Sequence, residues 1–336
     1  MADSAVLARP RANIHGSEFE RDMADMFTRR RSGHAIRHFF SGQSLVLWEA
    51  FTRASRDYYL FEDEAKLIKE NAPAIAEKAR AALQGSLTVV ELGTGSAKAV
   101  RAKTIPMLEA LKPDVYIPTD WSAESVHVAA HLAQQALPGL DVRPRVMDFN
   151  QQAYHLPKSG RTVLLQFGST LSNIEGRRDD ALPLEAMQTN LKHYRRQLQQ
   201  NDLAIFGLDQ NQDRQSLMAA YEHPLHVAFS ESVLTRMKDE LPVSSSFNPA
   251  AFTYVPLWNE ATHQLAHLLI ALEDGSFELG DETIRYVAGD RFVYDNSWKF
   301  PQGVLDGAFS NTGYVPVRAP IRDVHSRISL QVMKAV

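Results

Sequence analysis

Apolar runs separated by amphipathic segments occupy the middle of the chain. The runs predict strands over residues 87–90, 115–120, 142–149, 161–168 and 203–209, and the segments between them predict helices over 97–111, 122–135 and 180–199. Strands that alternate with helices are typical of an α/β fold with a parallel, doubly wound sheet. Ligands of such sheets bind at the carboxyl ends of the strands. Those ends carry Gly93, Asp120, Asp148, Gly168 and Asp209.

The pattern differs on both sides of this stretch. Amphipathic spacing predicts a helix over residues 17–32, and a longer helix over 62–83 contains Pro73, which should bend or break it. Beyond Asp209 two helices precede a group of strand-like segments. These elements are predicted over residues 213–221, 224–240, 252–258, 265–273, 283–287 and 291–294. Alternating apolar positions over 322–334 predict a late strand that returns to the sheet.

We therefore predict two structural units. Residues 61–212 and 301–336 form the doubly wound unit, and residues 13–60 and 213–300 form a second, mixed α+β lobe. The second lobe includes a stretch rich in aromatic residues, which suits either a packed core or the wall of a pocket. The aromatic residues are Phe39, Phe40, Trp48, Phe51, Tyr58 and Tyr59.

Composition narrows the classes of function. The formal net charge of −4 gives no electrostatic footprint for nucleic acid or for an anionic membrane. The absence of cysteine excludes disulfides, cysteine–zinc sites and thiol catalysis. We find neither an apolar run of membrane-spanning length nor the apolar core of a signal peptide, so we expect a cytoplasmic enzyme or binding protein with a small-molecule ligand.

A glycine turn follows the first predicted strand. The segment Glu91-Leu-Gly-Thr-Gly95 allows a sharp turn and a close approach of the backbone to a ligand. It lacks the third glycine of a dinucleotide fingerprint and the Gly-Lys-Ser/Thr of a phosphate loop. It is similar to the first motif of class I S-adenosylmethionine (SAM) methyltransferases, although a purely structural turn is the alternative.

Acidic residues end the next two predicted strands. Asp120 is placed to accept both hydroxyls of a ribose, or else to cap the helix that follows. Asp148 and Phe149 end the third strand, where a carboxylate could accept from an adenine amine, or else form an ordinary turn. Together with Gly93, these residues end successive strands in the order in which a nucleoside-bearing cofactor would be contacted.

Other chemistries fit less well. A dehydrogenase is disfavoured by the missing third glycine. His127 and His131 have helical i,i+4 spacing but lack the zincin glutamate, and His263 and His267 are no better as metal ligands. The loop 168–173 has no Asp/Asn-Pro-Pro-aromatic tetrad of the kind that adenine-amine methyltransferases carry, and its hydroxyls and one amide suit a small polar molecule.

The chain resembles the SAM-dependent amino-acid Nα-methyltransferases. This family includes the histidine methyltransferase of ergothioneine biosynthesis and the dimethylallyltryptophan N-methyltransferases of ergot alkaloid pathways. The resemblance covers nearly the whole chain in family order. It rests on Glu91-Leu-Gly-Thr-Gly-Ser96, Tyr116-Ile-Pro-Thr-Asp-Trp-Ser122, Gly168-Ser-Thr-Leu-Ser-Asn173, Gly207-Leu-Asp-Gln210, Ala219-Ala-Tyr221, Phe247-Asn-Pro-Ala-Ala-Phe252 and Asn296-Ser-Trp-Lys-Phe300. It implies a class I SAM methyltransferase fold, in which the second lobe binds the substrate.

The resemblance also implies which residues bind the cofactor, S-adenosyl-L-methionine. The family has a lysine shortly after the glycine turn; Ala99 occupies the aligned position and Lys98 precedes it. The implied cofactor-binding residues are Gly93, Gly95, Lys98, Asp120, Asp148, Phe149 and Gly168.

For the substrate, the resemblance implies that Asn173 and Tyr221 bind an amino-acid carboxylate and that Tyr58 lies near the reacting amine. Tyr58, Asn173 and water are the candidates for handling the amine proton. Asp295 and Ser297 occupy positions where the histidine enzyme places a glutamate and a serine against the imidazole.

Two further positions of the substrate pocket depart from the histidine enzyme. Phe40 replaces a tyrosine, and His267 replaces an apolar side chain.

We therefore expect an N-methyltransferase acting on a free amino acid or a molecule derived from one. The carboxylate of Asp295 favours a cationic or hydrogen-bond-donating side chain, as in histidine or arginine, because burying it against an indole would be costly. A substrate bound in the reverse direction would be methylated on a side-chain nitrogen. The alternatives are an O- or C-methyltransferase of a natural-product intermediate and a catalytically degenerate SAM-binding partner protein.

Overall fold

The computed structural model describes residues 17–29, 35–40, 42–82, 85–150, 160–173 and 183–336. The strands of this part of the chain are β1 (Leu87–Leu92), β2 (Val115–Asp120), β3 (Asp141–Val142), β4 (Arg145–Val146), β5 (Arg161–Gln166), β6 (Leu203–Asp209), β7 (Phe252–Asn259), β8 (Gln264–Ala271), β9 (Gly275–Leu279), β10 (Glu282–Tyr286), β11 (Arg291–Trp298), β12 (Tyr314–Pro316), β13 (Ile321–Arg322) and β14 (Ile328–Ala335).

The α-helices are α1 (Glu18–Phe27), α2 (Gly42–Ala54), α3 (Tyr59–Ala82), α4 (Ala97–Ala99), α5 (Ile105–Leu111), α6 (Ala123–Ala136), α7 (Pro183–Arg195), α8 (Arg214–Tyr221), α9 (Pro224–Glu240) and α10 (Gln302–Ser310). A π-helical turn, Val100–Thr104, joins α4 to α5 in one helical segment. Such turns inside α-helices are frequent at functional sites.

The large sheet has a parallel centre. Its order is β12-β14-β6-β5-β1-β2-β3, and only parallel pairs join β6, β5, β1 and β2. β1 and β6 are buried along their whole length, as expected of parallel strands covered on both faces. The strand order reverses between β1 and β5, so the loops after these two strands border the switch point where α/β sheets bind ligands.

Helices cover the two faces of this sheet. α3 and α5 pack against each other, and their apolar side chains join one core cluster with strand residues such as Val89 and Val163. Tyr194 of α7 and Phe309 of α10 belong to the cluster on strand residues such as Val90 and Leu164. Because the side chains of neighbouring strand positions point to opposite faces, residues 89 and 90 enter different cores.

A second sheet carries the other part of the chain. β7, β8 and β11 form a three-stranded antiparallel sheet, and β9 pairs with β10 as a hairpin. α1 and α9 pack against this sheet. The core between them is largely aromatic, with Phe27 in contact with Phe252 and Phe292.

The predicted doubly wound sheet is confirmed, with corrections. The third strand predicted over 142–149 is wrong: β3 and β4 are two short strands, because Pro144 between them has no N–H to continue the ladder. Asp148 and Phe149 follow β4 in a turn. Pro73 does not break α3, whose buried Ile68 and Ile75 on either side anchor the helix in the core.

Other predicted elements agree with the structure within a few residues. α8, α9, β7, β8, β10 and β11 lie where the pattern placed them, whereas the late strand predicted over 322–334 begins only at Ile328, because Val324 lies exposed in a turn. Of the helices predicted over 17–32 and 180–199, residues 30–32 and 180–182 lie outside the described residues. β9 was missed, because only Phe277 and Leu279 of this short strand are large apolar residues. Within the part of the chain described here, no helix combines the length and the apolar character that a bilayer span needs.

Candidate active site

A cavity of about 680 Å³ lies at the carboxyl ends of β1, β2 and β5 and extends to β8 and β11 of the three-stranded sheet. It is within the size range of small-molecule and cofactor sites. All but one of the residues predicted for the site line it. They are Phe40, Tyr58, Gly93, Gly95, Asp120, Asp148, Phe149, Gly168, Asn173, Tyr221, His267, Asp295 and Ser297.

The glycine turn after β1 has the backbone that its sequence predicts. Gly93 and Gly95 have φ of +83° and +67°, a conformation that L side chains rarely adopt. The Gly93 N–H donates to the carbonyl of Thr119 on the neighbouring strand at 2.9 Å. Ser96 then caps the helical segment by accepting from the Ala99 N–H at 3.3 Å. The turn therefore borders the cavity, and these hydrogen bonds hold its backbone in place.

Asp120 lies at the end of β2, directly beside this turn. Its carboxylate accepts from the Ser122 N–H at 2.9 Å and from the Gly95 N–H at 3.3 Å, and Thr94 Oγ1 is 3.4 Å away. Burial raises the pKa of Asp120, whereas these hydrogen bonds lower it. One oxygen thus binds the N–H of Ser122, which is itself the N-cap of α6, and the other faces the glycine turn.

Asp148 and Phe149 follow β4, which pairs with β2, and Phe149 lies next to the same glycine turn. A Cβ added to Gly93 would lie 3.7 Å from the Phe149 ring and 3.6 Å from Thr170 Cγ2. Asp148 accepts from the Asn150 N–H at 3.0 Å and lines the cavity. The residues after β1, β4 and β5 therefore converge on Gly93, although the third strand itself was wrongly predicted.

Lys98 is not among the residues that line the cavity. Its ammonium contacts the carboxylate of Glu62 and the carbonyl of Thr52, each at 3.0 Å, and lies 3.9 Å from the centre of the Phe61 ring. The structure therefore directs Lys98 towards α2 and α3, away from the other predicted cofactor residues.

A buried ion pair that the sequence did not reveal lies beside the cavity. Lys103, in the π-helical turn, lines the cavity and contacts Glu64 of α3 at 2.5 Å. Glu64 also accepts from the Gly168 N–H at 2.9 Å. A Cβ at Gly207 would collide with the same carboxylate, which is why a glycine is needed on β6 at this point. Glu64 thus links α3, the π-helical turn and the loop after β5.

Asn173 and Ser297 come together from different sheets. Asn173 ends the loop after β5, and its Oδ1 accepts from Ser297 Oγ of β11 at 3.1 Å. The amide nitrogen of Asn173 is then the atom available to donate to an acceptor in the cavity. The loop after β5 and strand β11 are thereby joined at the cavity wall.

Two tyrosines line the same cavity. The rings of Tyr58 and Tyr221 meet edge to face with centroids 5.7 Å apart. Burial is the main reason that the pKa of each phenol is well above its ordinary value, and the negative charge of Asp209 adds to the shift. Both side chains therefore remain phenols at neutral pH.

Asp295 and His267 form the part of the cavity wall that belongs to the three-stranded sheet. Asp295 is 9% exposed and accepts from the Asn296 N–H at 2.8 Å. His267 Nδ1 is 2.8 Å from the hydroxyl of Tyr254. Burial lowers the pKa of His267 well below its ordinary value, with smaller contributions from His226 and Lys299, so the imidazole is neutral.

His226 is a second lining histidine that the sequence did not single out. It belongs to α9 and packs among aromatic rings, 5.2 Å from Tyr221 and 5.8 Å from His267 between centroids. Burial lowers its pKa to about 3. Phe40, 39% exposed, packs on Trp48 and Phe229 at the same aromatic wall. No sequence spacing connects His226 to His267, because they lie on different elements.

The fold and the cavity together define a class of protein. A doubly wound sheet with a glycine turn at its switch point and acids after the next strands is that of a SAM-dependent methyltransferase. The chain belongs to the family of histidine-specific, SAM-dependent methyltransferases, which matches residues 19–335. It is accordingly an N-methyltransferase that uses SAM as its cofactor.

The chain is also similar to individual proteins. The chain is 27% identical over 275 residues to histidine N-alpha-methyltransferase of Mycobacterium tuberculosis, covering 79% of both chains. It is 23% identical over 289 residues to N-methyltransferase imqF of Aspergillus flavus, covering 80% of this chain and 74% of the relative. Among solved structures, the CcbJ methyltransferase of Streptomyces caelestis is similar with a TM-score of 0.45 at 12% identity, covering 79% of this chain and 95% of that one.

Proposed function

We propose that the protein methylates the α-amine of a free amino acid whose side chain carries a positive charge or N–H donors, such as histidine or arginine. The observation that carries this proposal is the carboxylate of Asp295 in the wall of the cavity that Asn173 and Tyr221 also line. A substrate bound between them would be held at both ends. Matching a buried carboxylate with a cation or with N–H donors lowers the cost of its burial.

The cofactor fits the other side of the cavity. Asp120 has the position and the acceptor oxygens for a ribose diol, and the positive-φ glycines leave room for a nucleoside beside Phe149. When bound, SAM would supply the methyl group of its sulfonium, with an N–C bond to the amine forming in line as the C–S bond breaks and S-adenosylhomocysteine leaves. We propose that residues 61–212 and 301–336 bind it, with Gly93, Gly95, Asp120, Asp148, Phe149 and Gly168 in contact, and that residues 13–60 and 213–300 form the substrate lobe.

Catalysis then rests mainly on positioning. The amide nitrogen of Asn173 and the hydroxyl of Tyr221 donate to the substrate carboxylate. Tyr58, which remains a phenol, is a hydrogen-bond partner that orients the amine towards the methyl group. Holding two reactants in near-attack geometry can supply about 7–11 kcal/mol of the barrier reduction. The amine must be neutral to attack, and with both tyrosines protonated its proton passes to water.

A panel of the twenty standard amino acids tests the proposal. Each is incubated with SAM and the purified protein, and methylated products are detected and located by fragmentation mass spectrometry. We expect α-N-methylation of histidine or arginine and little turnover of apolar amino acids. Binding of S-adenosylhomocysteine without turnover of any amino acid would favour a natural-product substrate. Failure to bind the cofactor at millimolar concentration would indicate a degenerate protein.

The variant Asp295→Asn examines the anchor directly. We expect KM for the preferred amino acid to rise at least about tenfold, as for loss of a charge-assisted hydrogen bond, with unchanged affinity for S-adenosylhomocysteine. Asp290→Asn is the matched control, because Asp290 immediately precedes the same strand and forms a surface ion pair with Arg29. Equal effects of the two substitutions would contradict the proposed role of Asp295.

A further inference from the structure

Asp209, at the end of β6, does not line the cavity but connects the elements that do. Its carboxylate is fully buried and contacts the ammonium of Lys299 at 2.7 Å and the hydroxyl of Tyr59 at 2.8 Å. The other carboxylate oxygen accepts from the Asn211 N–H at 3.0 Å. The Asp209 N–H donates to Ser169 Oγ at 3.0 Å. Asp209 thus contacts four residues that lie far apart or on different elements of the chain: Tyr59, Ser169, Asn211 and Lys299.

Three of these partners, Tyr59, Lys299 and Ser169, lie close in the chain to residues of the proposed substrate site. Tyr59 follows Tyr58 in the chain, and Lys299 lies two residues after Ser297. Ser169 starts the loop that ends at Asn173, whose N–H donates to the Ser169 carbonyl at 3.2 Å. The remaining residue, Tyr221, has the Lys299 ammonium 5.6 Å from its ring centre. The elements that present Ser297, Tyr58, Asn173 and Tyr221 are therefore tied to Asp209 directly or through Lys299.

The same connection joins the two sheets. Asp209 belongs to the central sheet, and Lys299 directly follows β11 of the three-stranded sheet. Next to this ion pair, the side chain of Gln210 donates to the carbonyl of Phe300 at 3.1 Å, and that of Gln212 donates to the carbonyl of Lys299. The segments Gly207-Leu-Asp-Gln210 and Asn296-Ser-Trp-Lys-Phe300, which both carry the family resemblance, thus contact each other.

We propose that Asp209 is a positioning residue for the amino-acid substrate: through Lys299, Tyr59 and Ser169 it fixes the relative positions of Ser297, Tyr58, Asn173 and Tyr221. This inference rests on the proposed function, since it concerns the same site. A buried ion pair adds little net stability to a fold, because the cost of desolvating the two charges offsets most of their attraction. Its use here is to fix one arrangement of four elements around the substrate.

The charge of Asp209 also acts on the neighbouring phenols. Its negative charge contributes to the raised pKa of Tyr58, Tyr59 and Tyr221. It thereby helps to keep the side chains that contact the substrate protonated and able to donate.

The test compares three variants of the full-length protein. Asp209→Asn removes the charge without changing the shape, and Tyr59→Phe removes only one hydroxyl. Asp202→Asn is the matched control at the opposite end of β6, where the carboxylate accepts from the backbone N–H groups of Thr162 and Gln199. We expect KM for the amino acid to rise about tenfold or more in Asp209→Asn and about threefold in Tyr59→Phe, as for loss of charged and neutral hydrogen bonds. The dissociation constant of S-adenosylhomocysteine should change less than about twofold in all three, and Asp202→Asn should retain the wild-type KM.

A purely structural role would lower stability in Asp209→Asn without separating the two affinities. An unchanged KM in both folded variants, or equal losses of amino-acid and cofactor affinity, would overturn the proposal. If Asp209→Asn fails to fold, Tyr59→Phe alone decides the question by the same comparison.

A substrate-free measurement separates this inference from the proposed function. Amide hydrogen exchange is followed in the loop 168–173 and in the segment 296–300. We expect faster exchange in both segments for Asp209→Asn and unchanged exchange for Asp202→Asn. If the wild-type protein methylates no free amino acid, the proposed function fails, but faster exchange in both segments would still support the positioning role. Unchanged exchange would contradict that role whatever the substrate.

Discussion

Asp295 of β11 and His267 of β8 lie directly opposite each other in the antiparallel pairing of the two strands. The register shifts between Val293 and Asp295, which marks an irregularity immediately before the acid. Irregularities of this kind re-aim side chains next to functional sites. A carboxylate and a neutral imidazole therefore stand side by side in the cavity wall, at the place proposed for the substrate side chain.

The imidazole of His267 should favour substrates with a polar side chain, to which it can form a hydrogen bond. His267→Met keeps a large side chain but removes the hydrogen bond with Tyr254 and any bond to the substrate. We expect kcat/KM for the preferred amino acid to fall about tenfold, and KM for SAM to stay within about twofold. Steady-state kinetics measure both. His263→Asn is the control, since asparagine tolerates the left-handed backbone there and His263 is outside the cavity lining.

The amide of Asn173 should be needed for its donor nitrogen. Asn173→Asp preserves the shape but places a negative charge where the substrate carboxylate is proposed to bind. We expect KM for the amino acid to rise about a hundredfold, because like charges brought together cost several kcal/mol. Calorimetry with S-adenosylhomocysteine should show near-wild-type affinity. Asn201→Asp, in a turn remote from the cavity, controls for the added charge, and a similar loss in both variants would contradict the assignment.

The sequence predicts the central sheet because buried parallel strands have a pattern of their own. Continuous apolar runs such as β1 are distinctive, and the ends of such strands mark the ligand side, so Gly93 and Asp120 could be found without a structure. Periodicity predicts several of the other elements, but it did not reveal the helices α2 and α10, and it fails where a strand is short or mostly polar, as in β9.

Contacts between distant residues could not be predicted in this way. The ion pairs of Glu64 with Lys103 and of Asp209 with Lys299 depend on how helices and loops pack on the sheets. Each of these residues is polar, and in a sequence pattern such residues are indistinguishable from a solvated helix face or a strand end. Lys98 illustrates the same limit, since its position in the chain gives no indication that its ammonium contacts Glu62.

Asp120 should contribute mainly to cofactor affinity. Asp120→Asn keeps one acceptor oxygen, so it can accept from the Ser122 N–H or from the Gly95 N–H but not from both, and it loses the charge that would hold both hydroxyls of a ribose. We expect about a tenfold to hundredfold weaker binding of S-adenosylhomocysteine by calorimetry, from the loss of charge-assisted hydrogen bonds. Asp141→Asn, which removes a carboxylate from an exposed ion pair with Arg143, should bind like the wild type. Comparable weakening in both would rule out a direct contact.

Two glutamates of α3 should differ sharply in their contribution to stability. Glu64 is buried and paired with Lys103, so Glu64→Gln leaves an uncompensated ammonium and should cost about 3–5 kcal/mol of unfolding free energy. Glu62 is exposed and paired with Lys98, and Glu62→Gln should cost less than about 1 kcal/mol. Urea denaturation of both variants measures the difference. Similar values would show that burial of the Glu64 pair does not control its energetics.

The two buried histidines should make the fold sensitive to acid. His226 has a pKa of about 3 in the folded protein, lowered chiefly by burial, and the pKa of His267 is lowered too. An unfolded histidine titrates near pH 6.5. Between that value and the folded pKa, the unfolded state binds protons that the folded state does not, so stability is full above pH 6.5 and falls as the pH decreases.

His226→Phe should remove part of this dependence. Phenylalanine fits among the rings of Trp48, Tyr221 and Phe229 and binds no proton. From pH 7 to pH 5 the wild type should lose about 2 kcal/mol more unfolding free energy than the variant, which is the linkage contribution of one histidine over that interval. Urea denaturation at both pH values measures it. His127→Gln, at an exposed position on α6, should retain the wild-type dependence. If His226→Phe retained it as well, the imidazole of His226 would have to be protonated in the folded protein, and the cavity wall would carry a positive charge beside Tyr221.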